Sequence, residues 1–155
     1  MAGRIEARLK EKGIELPQAP APAANYVPFT RSGNLVFIAG QIPFWNGEVK
    51  WIGRLGADLS VEQGQQAARL CALNVIAQVK AACGGDLDRV VRCLRLGGFV
   101  NSADDFTQQP LVVNGASDLV VDVFGDAGRH ARAAVGVNTL PRGVAVEVEA
   151  VFEIA

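Results

Sequence analysis

From Val144 to Ile154 the chain alternates without a break. Val144, Val146, Val148, Ala150, Phe152 and Ile154 hold the even positions, and Glu147, Glu149 and Glu153 stand among the odd ones. Successive side chains of a strand point to opposite faces, so this segment is a strand with one apolar and one acidic face. It commits the chain to a fold built on a sheet. The strand before it carries Arg132, with Ala134, Gly136 and Asn138 on the same face. Small residues beside a long guanidinium leave a hollow around it. The two strands are expected to bring this arginine and the carboxylates to one exposed face, and an arginine fork in a hollow beside a carboxylate suits a small acid.

The rest of the chain supplies the other layers. Arg4 to Lys12 is helix-compatible, with Ile5 and Leu9 four apart and Gly13 placed to end it. Pro17 to Ala24 is too rich in proline for a helix and reads as an extended connector. Leu35–Gln41 reads as a strand with Leu35, Phe37 and Ala39 on one face and Val36 and Ile38 on the other, after a turn at Gly33-Asn34. Asn46-Gly47 marks another turn. Ser60 and Gln63 form a capping-box pair at the start of the main helix, whose core stripe is Ala68, Cys71, Val75 and Val79 and which stops at Gly84-Gly85. A third strand lies within Leu87 to Val100, with Val91, Cys93 and Phe99 on one face and Val90, Leu94, Leu96 and Val100 on the other. A second helix spans Pro110 to Phe124, ending at Gly125 and Gly128.

The resulting order, strand, strand, helix, strand, helix, strand, strand, predicts an α+β layer, a mixed β-sheet with both helices packed on one face. Two helices cover only one side of such a sheet. Apolar groups on both sides of the Leu35–Gln41 strand therefore predict that the uncovered face meets another subunit.

At 155 residues there is room for one domain with a substantial core. We expect residues 1–25 to form a helix and strap, and 26–155 a single domain. Fifteen basic against sixteen acidic residues give a net charge of −1, which lacks the basic footprint of a dedicated nucleic-acid binder. Cys71, Cys83 and Cys93 have no paired metal-ligand spacing, so buried thiols are expected and no metal or cofactor is implied. Met1 to Lys10 is charged and lacks the apolar core of a leader, and no window is long enough to span a bilayer; a cytoplasmic location is expected.

Three stretches resemble one family. Arg132-Ala133-Ala134-Val135, Leu140-Pro141 and Val146-Glu147-Val148-Glu149-Ala150 are similar, in order and spacing, to the C-terminal signature of the RidA/YjgF family of reactive-intermediate deaminases. Ile38-Ala39-Gly40-Gln41-Ile42-Pro43 resembles its early strand motif, and Asn25-Tyr26-Val27 its first-strand tyrosine. The resemblance implies a chorismate-mutase-like fold, a homotrimer with ligand sites in the clefts between subunits, and hydrolysis of enamine or imine acids to 2-keto acids and ammonia. In that reading Arg132 clamps the substrate carboxylate and Glu147 positions or activates water. Tyr26, Ala39, Gly40 and Ala134 line the pocket, with the Gly40 backbone approaching the ligand.

The residues leave alternatives open. Arg132 could instead form an interface salt bridge with Glu147 or Glu149, and Tyr26 could be a rim aromatic at a subunit boundary. His130 reads as a turn residue without a serine or cysteine partner at motif spacing, and Asn114 and Ser117 as polar surface of the second helix. The family often has serine where this chain has Ala39 and Ala133, and a reactive cysteine where it has Ala134. The stretch from Trp45 to Ser60, including Gly53-Arg54-Leu55-Gly56, is also longer than in compact relatives. These departures favour a second reading, a non-catalytic trimer binding a small carboxylate. A third, endoribonuclease or translation inhibitor, is disfavoured by the even charge balance.

Overall fold

The alternation of the C-terminal segment becomes the spine of the sheet. In the computed structural model, which describes residues 3–19 and 25–155, strand β7 (Val146–Ile154) alternates buried and half-buried residues along its whole length. It lies between β2 (Leu35–Gln41) and β5 (Val90–Asn101), both antiparallel to it. β1 (Phe29–Ser32) flanks β2, and β6 (Ala131–Val137) runs parallel to β5 at the opposite edge. The sheet order is β1-β2-β7-β5-β6. A separate hairpin, β3 (Phe44–Trp45) and β4 (Glu48–Val49), turns at Asn46-Gly47. Part of the proline-rich connector, residues 20–24, lies outside the described residues.

Two helices cover one side of the sheet. α2 (Val61–Ala82) starts at the expected capping box: Ser60 Oγ accepts from the Gln63 amide, and the Gln63 side chain accepts from Ser60 N at 2.9 Å. Such a cap contributes about 1 kcal/mol. The stripe Ala68, Cys71, Val75 and Val79 is fully buried. α3 (Gln109–Phe124) buries Val112, Val113, Ala116, Leu119, Val120 and Val123, the 3–4 spacing of a helix that faces the sheet. Phe124 meets Phe152 of β7 edge to face at 5.8 Å, a geometry that adds about 0.5–1.5 kcal/mol to area burial.

The N-terminal helix α1 (Arg4–Glu11) joins this same core through Ile5 and Leu9. Its first turn is capped from a distance: Asp88 accepts hydrogen bonds from Arg4 N at 2.8 Å and Ile5 N at 2.9 Å. Arg8 donates to Val123 O of α3, and Glu6 pairs with Lys80 of α2.

The other side of the sheet carries no helix among the described residues. Val36 and Ile38 are buried beneath α2, whereas Phe37 on the opposite face is 45% exposed, as is Val135 at 46%. The expectation of an uncovered apolar face is met. The third strand departs from its expected facing. Its alternation breaks at register shifts between Val90 and Arg92 and between Cys93 and Arg95. Each bulge inserts one residue and re-phases the strand, so Val90, Cys93 and Leu96 all reach the core, and Cys93 does not share a face with Val91. All three cysteines are free and buried, as expected. No helix among the described residues is long and apolar enough to cross a membrane.

Candidate functional site

Arg132 sits on the edge strand β6, and parallel pairing fixes its side. Leu96, Gly98 and Val100 of β5 stand in register with Arg132, Ala134 and Gly136. Residues in register across a ladder point to the same face. Leu96 and Val100 are fully buried under the helices, so Arg132, Ala134 and Gly136 lie on the helix side. There the guanidinium reaches α3. Nη1 donates to Asn114 Oδ1 at 2.8 Å and Ser117 Oγ at 3.2 Å, and Nη2 lies 3.4 Å from Pro110 O.

A further hydrogen bond orders this cradle. His130 Nδ1 lies 2.6 Å from Gly128 O, and His130 Nε2 lies 2.9 Å from Ser117 Oγ. A carbonyl oxygen only accepts, so Nδ1 carries the proton; in the neutral ring Nε2 then accepts from the Ser117 hydroxyl. Ser117 Oγ is left free to accept from Arg132. Asn114, Ser117 and His130 had read as polar surface and a turn residue. They hold the arginine, and His130 does have a serine partner. Only the spacing of Asn114 and Ser117, three apart on one helix face, hinted at this.

The hollow expected around Arg132 is displaced to the far end of β6, at Gly136 and Asn138. A cavity of about 340 Å³ is lined by Ser102, Asp104, Phe106, Gln109, Gly136 and Asn138, among others. Gln109 is the neighbour of Pro110, so the arginine cradle and the cavity share the first turn of α3. Ala134, between Arg132 and Gly136, is half-buried against the core.

Glu147 stands elsewhere. On β7 its partner across the ladder is Phe99, and that of Glu149 is Gly97. Both carboxylates therefore occupy the face opposite the helices. Facing Glu147 is a bulge in β2: Ile38 pairs with Ala150 and Gln41 with Val148, so Ala39 and Gly40 oppose a single residue. The bulge turns Gly40 onto the glutamate. A methyl group at Gly40 would come within 3 Å of the Glu147 carboxylate, so a side chain there would push Glu147 out of its present position. Half-burial raises the Glu147 pKa above the ordinary carboxylate value, and the nearby charge of Glu149 raises it further. Glu149 itself lies 3.8 Å from Arg95. Ala39 is half-buried beside Gly40. Tyr26 precedes β1, outside the strand expected to hold it, and is 61% exposed.

The structure thus joins Glu147, Gly40 and Ala39 on the open face, and Arg132, Ala134 and the cavity on the helix side. It does not join the two groups. The expected shared face for Arg132 and the carboxylates fails because Arg132 follows the facing of Leu96, while Glu147 follows that of Phe99. Among the described residues Arg132 bonds neutral oxygens of α3 and no carboxylate of its own chain. Chemically, one side offers a fixed cation with unneutralised charge, the other a carboxylate poised to exchange a proton nearer neutral pH. Among the described residues no group of three or more His, Cys, Asp or Glu is arranged to hold a metal ion.

Known proteins with this arrangement identify the lineage. The family described as "YjgF/chorismate_mutase-like, putative endoribonuclease" matches residues 6–151. Protein TCP17 of Trypanosoma cruzi is 53% identical over 154 residues, covering 99% of this chain and 96% of that protein. The crystal structure of the protein Atu1372 of Agrobacterium tumefaciens superposes with a TM-score of 0.90 at 52% identity, covering 97% of this chain and 93% of that one. E. coli TdcF, solved with bound serine, superposes with a TM-score of 0.63 at 27% identity, over 91% of this chain and 97% of TdcF. The fold, the bulged glycine beside Glu147 and the arginine edge strand stand within a match spanning nearly the whole chain, and the protein belongs to the RidA/YjgF family.

Proposed function

We propose that the protein hydrolyses small enamine or imine acids to 2-keto acids and ammonia, at sites formed where the Arg132 edge of one subunit meets the Glu147 face of another. What supports this reading is that the chain carries, on opposite faces of its sheet, an arginine bonded among the described residues to neutral oxygens and a half-buried glutamate of raised pKa. The substrate carboxylate binds the guanidinium. Glu147 accepts a proton from water as the water adds to the imine carbon, and the amine nitrogen leaves as ammonia once protonated. Water is the only co-reactant. The serine bound to TdcF supports an amino-acid-sized carboxylate as the ligand class. A homotrimeric assembly and a cytoplasmic setting, among pyridoxal-phosphate dehydratases that release such acids, complete the proposal.

The test is ammonia and keto-acid release when the protein is added to a serine or threonine dehydratase reaction. Glu147→Gln keeps size and most hydrogen bonding but removes the basic oxygen, so turnover should fall about 10²–10⁴-fold with much less change in keto-acid affinity. Wild-type turnover should climb with pH as Glu147 ionises, on an acidic limb above the ordinary glutamate range, and the variant should lose that limb. The same shift sets the sign for stability. Burial favours the protonated form in the folded state, so ionisation costs folding free energy above the raised pKa, and Glu147→Gln should melt no lower than wild type at neutral pH. Full acceleration by the variant would move water activation to Glu149. A second reading, a binding protein without turnover, is favoured by the missing hydroxyls at Ala39 and Ala133; inert wild type and variant that both bind keto acids would establish it.

A further inference from the structure

The loop between β4 and α2 is built around one side chain. Leu55 N donates to Asn101 O at 2.8 Å and Ala103 N donates to Leu55 O at 2.9 Å, stitching the loop to both sides of Ser102. Gly53, whose amide bonds Gly143 O, and Gly56 hold φ of +139° and +85° on either side of Arg54. The Arg54 amide donates to Asp58 Oδ2 at 2.9 Å, and its carbonyl accepts from Asp58 N at 2.9 Å and Leu59 N at 3.1 Å. The backbone of Arg54 is thereby fixed, and its side chain is carried to the cavity wall. Nη2 donates to Ser102 O and lies 3.7 Å from Asp104 Oδ1. Ser102 and Asp104 line the cavity together with Gln109, and Pro110, next to Gln109, receives Arg132 Nη2. Arg54 thus adjoins the cavity through Ser102 and Asp104, and Arg132 adjoins it through Pro110, the chain neighbour of Gln109.

The fold's own hydrogen bonding leaves one donor of Arg54 unmatched. Its Nε is buried without an acceptor among the described residues, a donor that a bound anion would satisfy. Its counter-ion is weakly engaged: Asp104 is 97% exposed at the long end of ion-pair distance, where such pairs contribute little and exchange readily for another anion. The remaining cavity wall is polar, with Ser102, Gln109 and Asn138 contributing hydroxyl and amide groups.

We propose that Arg54 is a second anion-binding group, at the cavity beside the Arg132 cradle, so that the site selects small 2-keto or imine acids carrying a second carboxylate at the far end. This rests on the reading of Arg132 as the carboxylate clamp. Arg132 holds the carboxylate next to the reacting carbon, and Arg54 takes the distal one as Asp104 swings into solvent.

Calorimetric titration with 2-oxoglutarate and 2-oxobutyrate tests it, since the two acids share the reacting end and differ in the distal carboxylate. Wild type should bind 2-oxoglutarate about tenfold or more tightly than 2-oxobutyrate, the scale of one charge-assisted contact. Arg54→Gln should bring the ratio of the two dissociation constants to about 1, and Asp104→Asn, at an exposed position that leaves the fold intact, should raise it by removing the competing anion. Equal affinities in wild type, a preference that survives Arg54→Gln, or a ratio unmoved by Asp104→Asn would overturn the proposal. Arg132→Lys separates the two readings: loss of affinity for both acids supports the clamp, whereas unchanged 2-oxobutyrate binding overturns the clamp and this assignment with it.

Discussion

An arginine held by an amide and a hydroxyl keeps its full charge for a ligand; one held by a carboxylate does not. Asn114 and Ser117 fix the Arg132 fork at 2.8 and 3.2 Å without neutralising it, which is pre-organisation at low electrostatic cost. Asn114→Asp should reverse that economy. The new anion would sit in hydrogen-bond contact with the guanidinium, so 2-oxobutyrate affinity should fall about tenfold or more, because charged hydrogen bonds are worth about 1.5–3 kcal/mol. Calorimetry would check it, and an affinity equal to wild type would mean that Arg132 does not clamp the acid. At this scale the sequence was half legible. Glu147 and Gly40, each singled out from the family motif, are neighbours in space, and Gly136 and Asn138 of the small-residue run after Arg132 border a cavity. The cradle was not legible. Asn114, Ser117 and His130 acquire their roles from contacts between α3 and the segment leading into β6, and no local periodicity encodes a contact across 13 to 18 residues.

Elements with strong local signals formed where the pattern put them. The Ser60–Gln63 box opens α2, Gly33-Asn34 turns into β2, and β7 alternates to its end. Bulges defeated the period-2 rule, because one extra residue in β5 or β2 moves every later side chain to the other face. The facing of Cys93 was lost this way, and the bulge at Ala39-Gly40 left no mark on the expected alternation of Leu35–Gln41. Capping across the chain was equally silent. Asp88, beyond the end of α2, anchors α1 through the amides of Ile5 and Arg4, and these donors hold its pKa below the ordinary aspartate range. A depressed folded pKa means that the carboxylate stabilises the docked helix above the unfolded pKa and loses this effect as pH falls through the folded one. Asp88→Ala should therefore speed exchange of the Arg4 and Ile5 amides several-fold at neutral pH, as loss of an N-terminal cap does. Wild type should show the same loosening only in acid below the aspartate range. Hydrogen exchange that is identical in the two proteins at pH 7 would assign α1 docking to Ile5 and Leu9 alone.

The whole molecule leaves two unmatched surfaces, and each lacks what the other carries. The open sheet face presents Phe37 and Val135, with Glu147 of β7 set against Gly40 in the bulge of β2; the β6 edge presents Arg132 and the cavity. Repeating one contact between such unlike surfaces around an axis closes a ring. A trimer, three times the 16.4 kDa chain mass, is the assembly expected by sedimentation, and a folded monomer at micromolar concentration would count against it. Sequence reasoning reached the uncovered face by counting helices against sheet faces. It could not reach the division of the site, which depends on Arg132 and Glu147 inheriting opposite facings from their β5 partners. That division has a sharp consequence. Arg132→Lys and Glu147→Gln should each be nearly inactive alone, yet co-refolded in equal amounts they should recover activity. A site is intact when the arginine comes from one variant and the glutamate from the other, which random assembly of a ring provides in about a quarter of sites. Recovery near that fraction would mean that every site draws on two chains. No recovery, from mixtures that do exchange subunits, would mean that Arg132 and Glu147 act within one chain, which the sheet between them forbids without a refolded edge strand.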